Sequence, residues 1–165
     1  NSILKLYASM KLEERLLVLC QKENLTLGFA ESCTGGALAA RITSIPGASR
    51  SFAGSIVSYQ DQVKERLLHV PSLYLQQYTA VSTEVTLKML ESCLHELAAD
   101  IGAAVTGIAG PSGGTARSPV GTIYIAVGKK HCLPKIYSLN YSGSREQVIQ
   151  YAVDKALLSL SLIHI

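Results

Sequence analysis

The segment FAESCTGGALAAR, residues 29 to 41, sets a carboxylate, two hydroxyls and a thiol directly before a pair of glycines. Gly35 and Gly36 at a helix start would leave backbone N–H groups open to a phosphate or an oxyanion, with the helix dipole favouring negative charge. The same residue types also suit a plain helix cap by Ser32 or Thr34, so composition alone leaves both readings open. A serine nucleophile needs a base. The four histidines, at 69, 95, 131 and 164, fall by pattern in two helices, a turn and the tail, which gives no support to a Ser-His-Asp arrangement. Lys64, five residues after Tyr59, is a base if partly desolvated and an ordinary surface charge if not. Glu31 reads as an orienting carboxylate or a rim ion pair, and Arg145 as a phosphate partner or a first-turn ornament. Cys33 reads as a packed small residue, since no base accompanies it.

Positioning these groups requires strands that end near one another. LGFA at 27 to 30 reads as a buried strand after an imperfect helix from Ile3 to about Lys22, and SFAGSIVSY as a second strand ending at Tyr59. GGALAARITSI reads as a short helix stopped before Pro46. Residues 62 to 69 look helical and 71 to 78 irregular. Val85, Met89, Leu90, Cys93, Leu94 and Leu97 mark one face of a helix capped by Ser82. IGAAVTG at 101 to 107 is a strand running into a loop with Gly107, Gly110, Gly113 and Gly114, either a turn or a backbone surface for a ligand. The loop leads into another strand, not a helix, and no GK[ST] occurs, so neither a Rossmann nor a Walker A site fits. VGTIYIAVG and LPKIYSLNYSG follow as a hairpin-like pair, and residues 144 to 162 form a closing helix. Strands alternating with helices, with two adjacent strands late, predict a single-domain three-layer α/β/α fold with a mixed sheet over residues 1 to 165. In such sheets ligands gather at the carboxyl ends of the strands, which puts Ser32, Ser58, Tyr59 and Thr106 at one rim.

Composition restricts the function classes. The 165 residues are 48% hydrophobic and 16% charged, with net charge +3, which describes a chain able to bury a core and excludes a disordered one. The only basic run is Lys129, Lys130 and His131, so no nucleic-acid footprint is expected. Cysteines at 20, 33, 93 and 132 lack metal-ligand spacing, and they read as reduced thiols. LLVLC at 16 to 20 is too short for a membrane span or a signal core. The expectation is a cytoplasmic domain without metal, cofactor, membrane or nucleic-acid partner.

Taken together, AESCTGGALAARIT with PGAS, GSIVSYQDQVKERLL, AVS, VTGIAGPSGGT with PVGTIYIAV, and SGSREQV closely resemble the CinA C-terminal domain family, in matching order over residues 12 to 160. The resemblance implies a compact α/β/α domain, commonly a homodimer. In active members it implies an amidohydrolase that converts nicotinamide mononucleotide to nicotinate mononucleotide and ammonia. It places Ser32 at the nucleophile, Lys64 and Tyr59 at the proton-handling positions, and Glu31, Thr34, Gly35, Gly36, Thr106, Gly107 and Arg145 around a small-molecule nucleotide substrate. Three positions depart from the family pattern. Asp61 stands for the usual asparagine, Ser144 for an acidic residue, and no second arginine occurs around Ile149 and Gln150. By resemblance the chain is expected to be the stand-alone form, without the larger nucleotide-hydrolysing domain, and no second activity is expected. A domain that binds a nucleotide or assembles without turning it over is the alternative reading.

Overall fold

Alternation along the central strands assigns each face of the sheet a different kind of surface. In the computed structural model, which describes residues 2–163, β1 (Leu27–Glu31), β3 (Ile101–Gly107) and β4 (Thr122–Lys129) send Leu27, Phe29, Ile101, Val105, Ile123, Ile125 and Val127 to one side. There they pack under α2 (Leu12–Lys22), α3 (Ala37–Thr43) and α7 (Arg145–Ser161). Gly28, Ala30, Gly102, Ala104, Ala126 and Gly128 alternate with them along the same strands. At these positions the side chains are minimal, and α6 (Thr83–Glu96) settles close against them. A Cβ built on Gly28 would stand 2.9 Å from Leu97 Cδ1, inside van der Waals contact. α4 (Asp61–Leu68) and α5 (Ser72–Tyr78) pack beside α6. Two apolar cores, one on each face, make the three layers.

The sheet order is β2-β1-β3-β4-β5, with β2 (Phe52–Val57) and β5 (Lys135–Asn140) at the edges. β1 is parallel to both β2 and β3, whereas β3–β4 and β4–β5 are antiparallel. The predicted mixed sheet and the late hairpin are therefore observed. Ser82 caps α6 by accepting from Val85 N at 3.3 Å. Ser144 and Gln147 form a reciprocal capping box on α7.

Four expectations are corrected. The first helix is two, α1 (Ser2–Ser9) and α2, separated at Met10 and Lys11. Residues 71 to 78 are not irregular but form α5, which Pro71 opens at the N-cap and which Tyr74 and Leu75 tie to the α6-side core. β2 ends at Val57, before Tyr59, because the carbonyls of Ser58 and Tyr59 turn toward Lys64. Neither Ser32 nor Thr34 caps α3. Its N-cap is Gly36, at φ 102° and with no side-chain cap, a conformation glycine adopts at no steric cost. His164 lies outside the described residues.

Glu31 performs the capping. It is fully buried at the end of β1, and its carboxylate accepts from Leu38 N at 2.9 Å and Ala39 N at 3.2 Å in the first turn of α3. It also accepts from Thr34 Oγ1 at 2.7 Å and Ser55 Oγ of β2 at 2.7 Å. One charged group thereby joins two strands, the intervening turn and a helix N-terminus. Glu31→Gln keeps the shape but puts an NH2 group, which cannot accept, where one oxygen was. The expected cost is about 1–3 kcal/mol of unfolding free energy, read from urea denaturation; an unchanged midpoint would show that the corner does not depend on the carboxylate.

Candidate active site

Ser32 follows directly on β1 and continues its ladder, donating its N–H to Val105 O of β3 at 2.9 Å. On the other side, Ser58 N donates to Glu31 O at 2.8 Å, so the chain leaving β2 is held against the same corner. From there α4 begins and its first turn carries Lys64 inward. Lys64 is 1% exposed, and its Nζ lies 2.9 Å from Ser32 Oγ, 2.7 Å from Ser58 O and 3.3 Å from Tyr59 O.

These three partners define the chemistry of the amine. Two are carbonyl oxygens, which only accept, and the third is a hydroxyl, which can do either. An ammonium donates to all three. A neutral amine donates its two N–H bonds to the carbonyls and turns its lone pair to the serine hydroxyl. Burial lowers the Lys64 pKa from the ordinary lysine value, and the nearby Asp61 and Cys33 offset only part of this. The geometry therefore sets a serine hydroxyl within hydrogen-bond reach of a buried lysine that holds its proton less tightly than usual, an arrangement able to support proton transfer.

A cleft of about 240 Å³ opens over this pair, lined among others by Tyr59, Asp61, Val81, Thr106 and Arg145. Tyr59 is 56% exposed, and its hydroxyl accepts from Arg145 Nη2 at 2.7 Å. What Tyr59 gives to Lys64 is its backbone carbonyl; its phenol belongs to the arginine. Arg145 Nη1 donates to Gly110 O at 2.8 Å, so the guanidinium bridges the end of β2 to the glycine loop across the mouth. Thr106 is buried and donates to Ala80 O at 3.2 Å, which fixes the wall formed by Ala80 and Val81. Gly107 and Gly110 line the cleft with backbone. A Cβ on Gly107 would come within 2.6 Å of Thr122 O, so no larger residue fits that part of the wall.

Of the residues singled out in the sequence, Ser32, Tyr59, Lys64, Thr106, Gly107 and Arg145 converge on the cleft. Glu31, Thr34, Gly35 and Gly36 do not line it; they build the corner beneath it. The N–H of Gly35 donates to Ser32 O at 3.0 Å, so it is engaged in the turn. The N–H of Cys33, by contrast, donates to no backbone carbonyl among the described residues. It follows the serine immediately, which is where acyl-transfer enzymes with a nucleophile on a strand-to-helix turn find one oxyanion donor. The Cys33 thiol itself is pushed up to about 12 by burial, consistent with a packing role. Asp61, which departs from the family pattern, also lines the cleft, and its place three residues before Lys64 on one helix is the signal in the sequence that both face it.

A larger cleft, of about 660 Å³, lies at the opposite end of the sheet and shares no lining residue with this one. Among the described residues it contains no hydrogen-bonded nucleophile and base, and the candidate chemistry therefore rests with Ser32. No helix among the described residues is long and apolar enough to cross a membrane.

Comparison with known proteins gives the same fold. Residues 9–163 match the family model described as CinA C-terminal domain. A CinA-like protein of Dictyoglomus thermophilum is 42% identical over 146 residues, covering 88% of this chain and 35% of that protein. One of Geotalea uraniireducens is 47% identical over 131 residues, covering 79% and 31%. The chain thus spans about a third of the length of these relatives. Among solved structures, the competence/damage inducible protein CihA of Agrobacterium tumefaciens superposes with a TM-score of 0.88 at 33% identity, covering 90% of this chain and 91% of that one. The competence damage-inducible protein A of Klebsiella pneumoniae does so with 0.88 at 31%, covering 91% and 92%. A five-stranded mixed sheet, a buried serine–lysine corner and a matching family model over nearly the whole chain lead to one assignment: the chain belongs to the CinA C-terminal domain family.

Proposed function

We propose that this domain is an amidohydrolase that deamidates nicotinamide mononucleotide to nicotinate mononucleotide and ammonia. The observation that carries the reading is the 2.9 Å contact between Lys64 Nζ and Ser32 Oγ at the floor of an open cleft; the resemblance to active family members supplies the substrate. Neutral Lys64 takes the proton of Ser32 as Oγ attacks the carboxamide carbon. The Cys33 N–H faces the developing oxyanion. Lys64 returns the proton to the departing nitrogen as the C–N bond breaks, releasing ammonia and leaving an ester on Ser32. Water, deprotonated by Lys64, then attacks the ester carbon. The C–O bond to Ser32 breaks, and the proton returns to Oγ. Arg145 at the mouth supplies the cation for the substrate phosphate, and Tyr59, held by Arg145, forms the wall beside it.

The primary test is purified protein with nicotinamide mononucleotide, assayed for nicotinate mononucleotide and ammonia in the presence of a chelator. Turnover is expected without added metal. Binding without ammonia would instead favour the non-catalytic nucleotide-binding reading. Nicotinamide lacking the ribose phosphate is expected to be a poor substrate, and equal kcat/KM for both would remove Arg145 from the binding role.

Ser32→Ala is expected to lower kcat by roughly a thousandfold or more while the protein still folds and binds. Lys64→Met should do the same, and the double variant should be scarcely slower than either single one, because the two act as one unit. Near-normal ammonia release from Ser32→Ala would exclude the nucleophile.

Because the neutral amine is the active form, kcat/KM should rise with pH along a limb centred below 10.5, the ordinary lysine value. Between the lowered folded value and 10.5, the unfolded chain binds more protons at Lys64 than the folded one, so the Lys64 contribution to stability should rise with pH across that window, against the opposite slope of the buried Cys20, Cys33 and Cys93 thiols, whose values are raised. Lys64→Met should remove this contribution, so that thermal melts across alkaline buffers show the variant losing stability more steeply with rising pH than the wild type.

A further inference from the structure

The sequence holds one basic run, Lys129, Lys130 and His131, that the serine–lysine chemistry does not use. The fold does not leave it isolated. The run closes β4, and the antiparallel register with β3 carries it to the end of the sheet opposite Ser32, where Lys129 pairs with Ile101 at the start of β3. Lys88 and His95 reach the same place from α6, and His69 from the end of α4. Three histidines and three lysines from separate elements thus converge around the 660 Å³ cleft.

The floor of that cleft is apolar. Leu87, Leu90 and Leu94 of α6 face Gly128 and Pro134 across it, and the absence of a side chain at Gly128 keeps it open, since a Cβ there would stand 3.2 Å from Leu90 Cδ2 and 3.3 Å from Pro134 Cβ. Among the charges, Lys88 is 3.5 Å from Glu91, and His69 is 2.8 Å from Glu96 with His95 at 3.6 Å. Lys129 and Lys130 have no ion-pair partner among the described residues. An apolar floor with a few convergent cationic groups, in a concavity of the size that encloses small molecules, calls for a ligand with the complementary pattern.

We propose that this cleft is a second binding site, for a small organic anion: an apolar body seated on the leucines of α6, with a phosphate, sulfonate or carboxylate group toward Lys129 and Lys130. A compact body suits a concavity formed by one helix face and one strand end, and the unpaired lysine charge at one rim selects the anionic head.

The test uses two naphthalene dyes that share one apolar body and differ in the sulfonate group, anilinonaphthalene sulfonate and the uncharged phenylnaphthylamine, titrated by fluorescence. The expected result is saturable one-to-one binding of the sulfonate, weakened about tenfold or more in Lys129→Glu/Lys130→Glu, with the uncharged dye affected less than twofold in the same variant. Circular dichroism melts confirm that the variant is folded. Leu87→Trp, which fills the cleft, should remove both dyes. Cys132 supplies an independent readout, since it lines the cleft and is exposed, whereas Cys20, Cys33 and Cys93 are buried. Bound sulfonate should slow its alkylation by maleimide, and hexyl phosphate should do so where hexanol does not. Equal sulfonate affinity in wild type and the double lysine variant would overturn the proposal. So would unprotected Cys132 at saturating dye, or a dimer that excludes the dye and dissociates on the lysine substitutions. Ammonia release from nicotinamide mononucleotide plays no part in these readouts, so the proposal stands or falls apart from the activity at Ser32.

Discussion

The buried carboxylate of Glu31 is the constraint on which the site depends. At the end of β1 it accepts from two backbone N–H groups of α3, the hydroxyl of Thr34 and the hydroxyl of Ser55 on β2. A charge in such a place is tolerated only when its acceptor sites are filled and the positive end of a helix faces it. The filled set fixes where β1 stops and where α3 starts. Ser32, the next residue, therefore has little freedom, and its N–H is bound in turn by β3. The side chain that projects into the cleft is positioned by a group that does not enter the cleft at all.

The second constraint is the burial of Lys64. Placing an amine beneath the surface costs free energy unless its hydrogen bonds are met, and here the carbonyls of Ser58 and Tyr59 meet two of them. Those same contacts end β2 early and turn the chain into α4. Stability and chemistry are coupled in this way: the backbone that satisfies the lysine also aims it at Ser32, and the burial that weakens its hold on a proton is what suits it to act as a base.

The two faces of the sheet do different work. Bulky strand residues under α2, α3 and α7 form the larger core, whereas glycine and alanine on the other face bring α6 close. α6 then spans the domain. Its capped start lies next to Ala80 and Val81, which wall the serine cleft, and its last turns line the basic cleft. One helix thus lines the basic cleft and begins two residues beyond the wall of the serine cleft.

Much of this was legible in the sequence. Period-two and helical patterns gave the three-layer fold, the mixed sheet and the Ser82 cap, since these depend on short-range spacing and on which residues must be buried. The family segments brought Ser32, Tyr59, Lys64, Thr106 and Arg145 into one set. What spacing could not decide was how each group is used. A lysine five residues after a strand reads as solvated until the strand end is seen to curl over it, and only the fold shows that Arg145 donates to the phenol of Tyr59. The cap on α3 comes from Glu31, seven residues before the first N–H it accepts from, because a strand end and a helix start meet there in space and not along the chain. The cluster of His69, Lys88, His95, Lys129 and Lys130 is likewise a product of the antiparallel register and the packing of α6. Local pattern determined the elements; long-range packing decided which side chains share an environment, and with it the protonation, hydrogen bonding and charge that give them their roles.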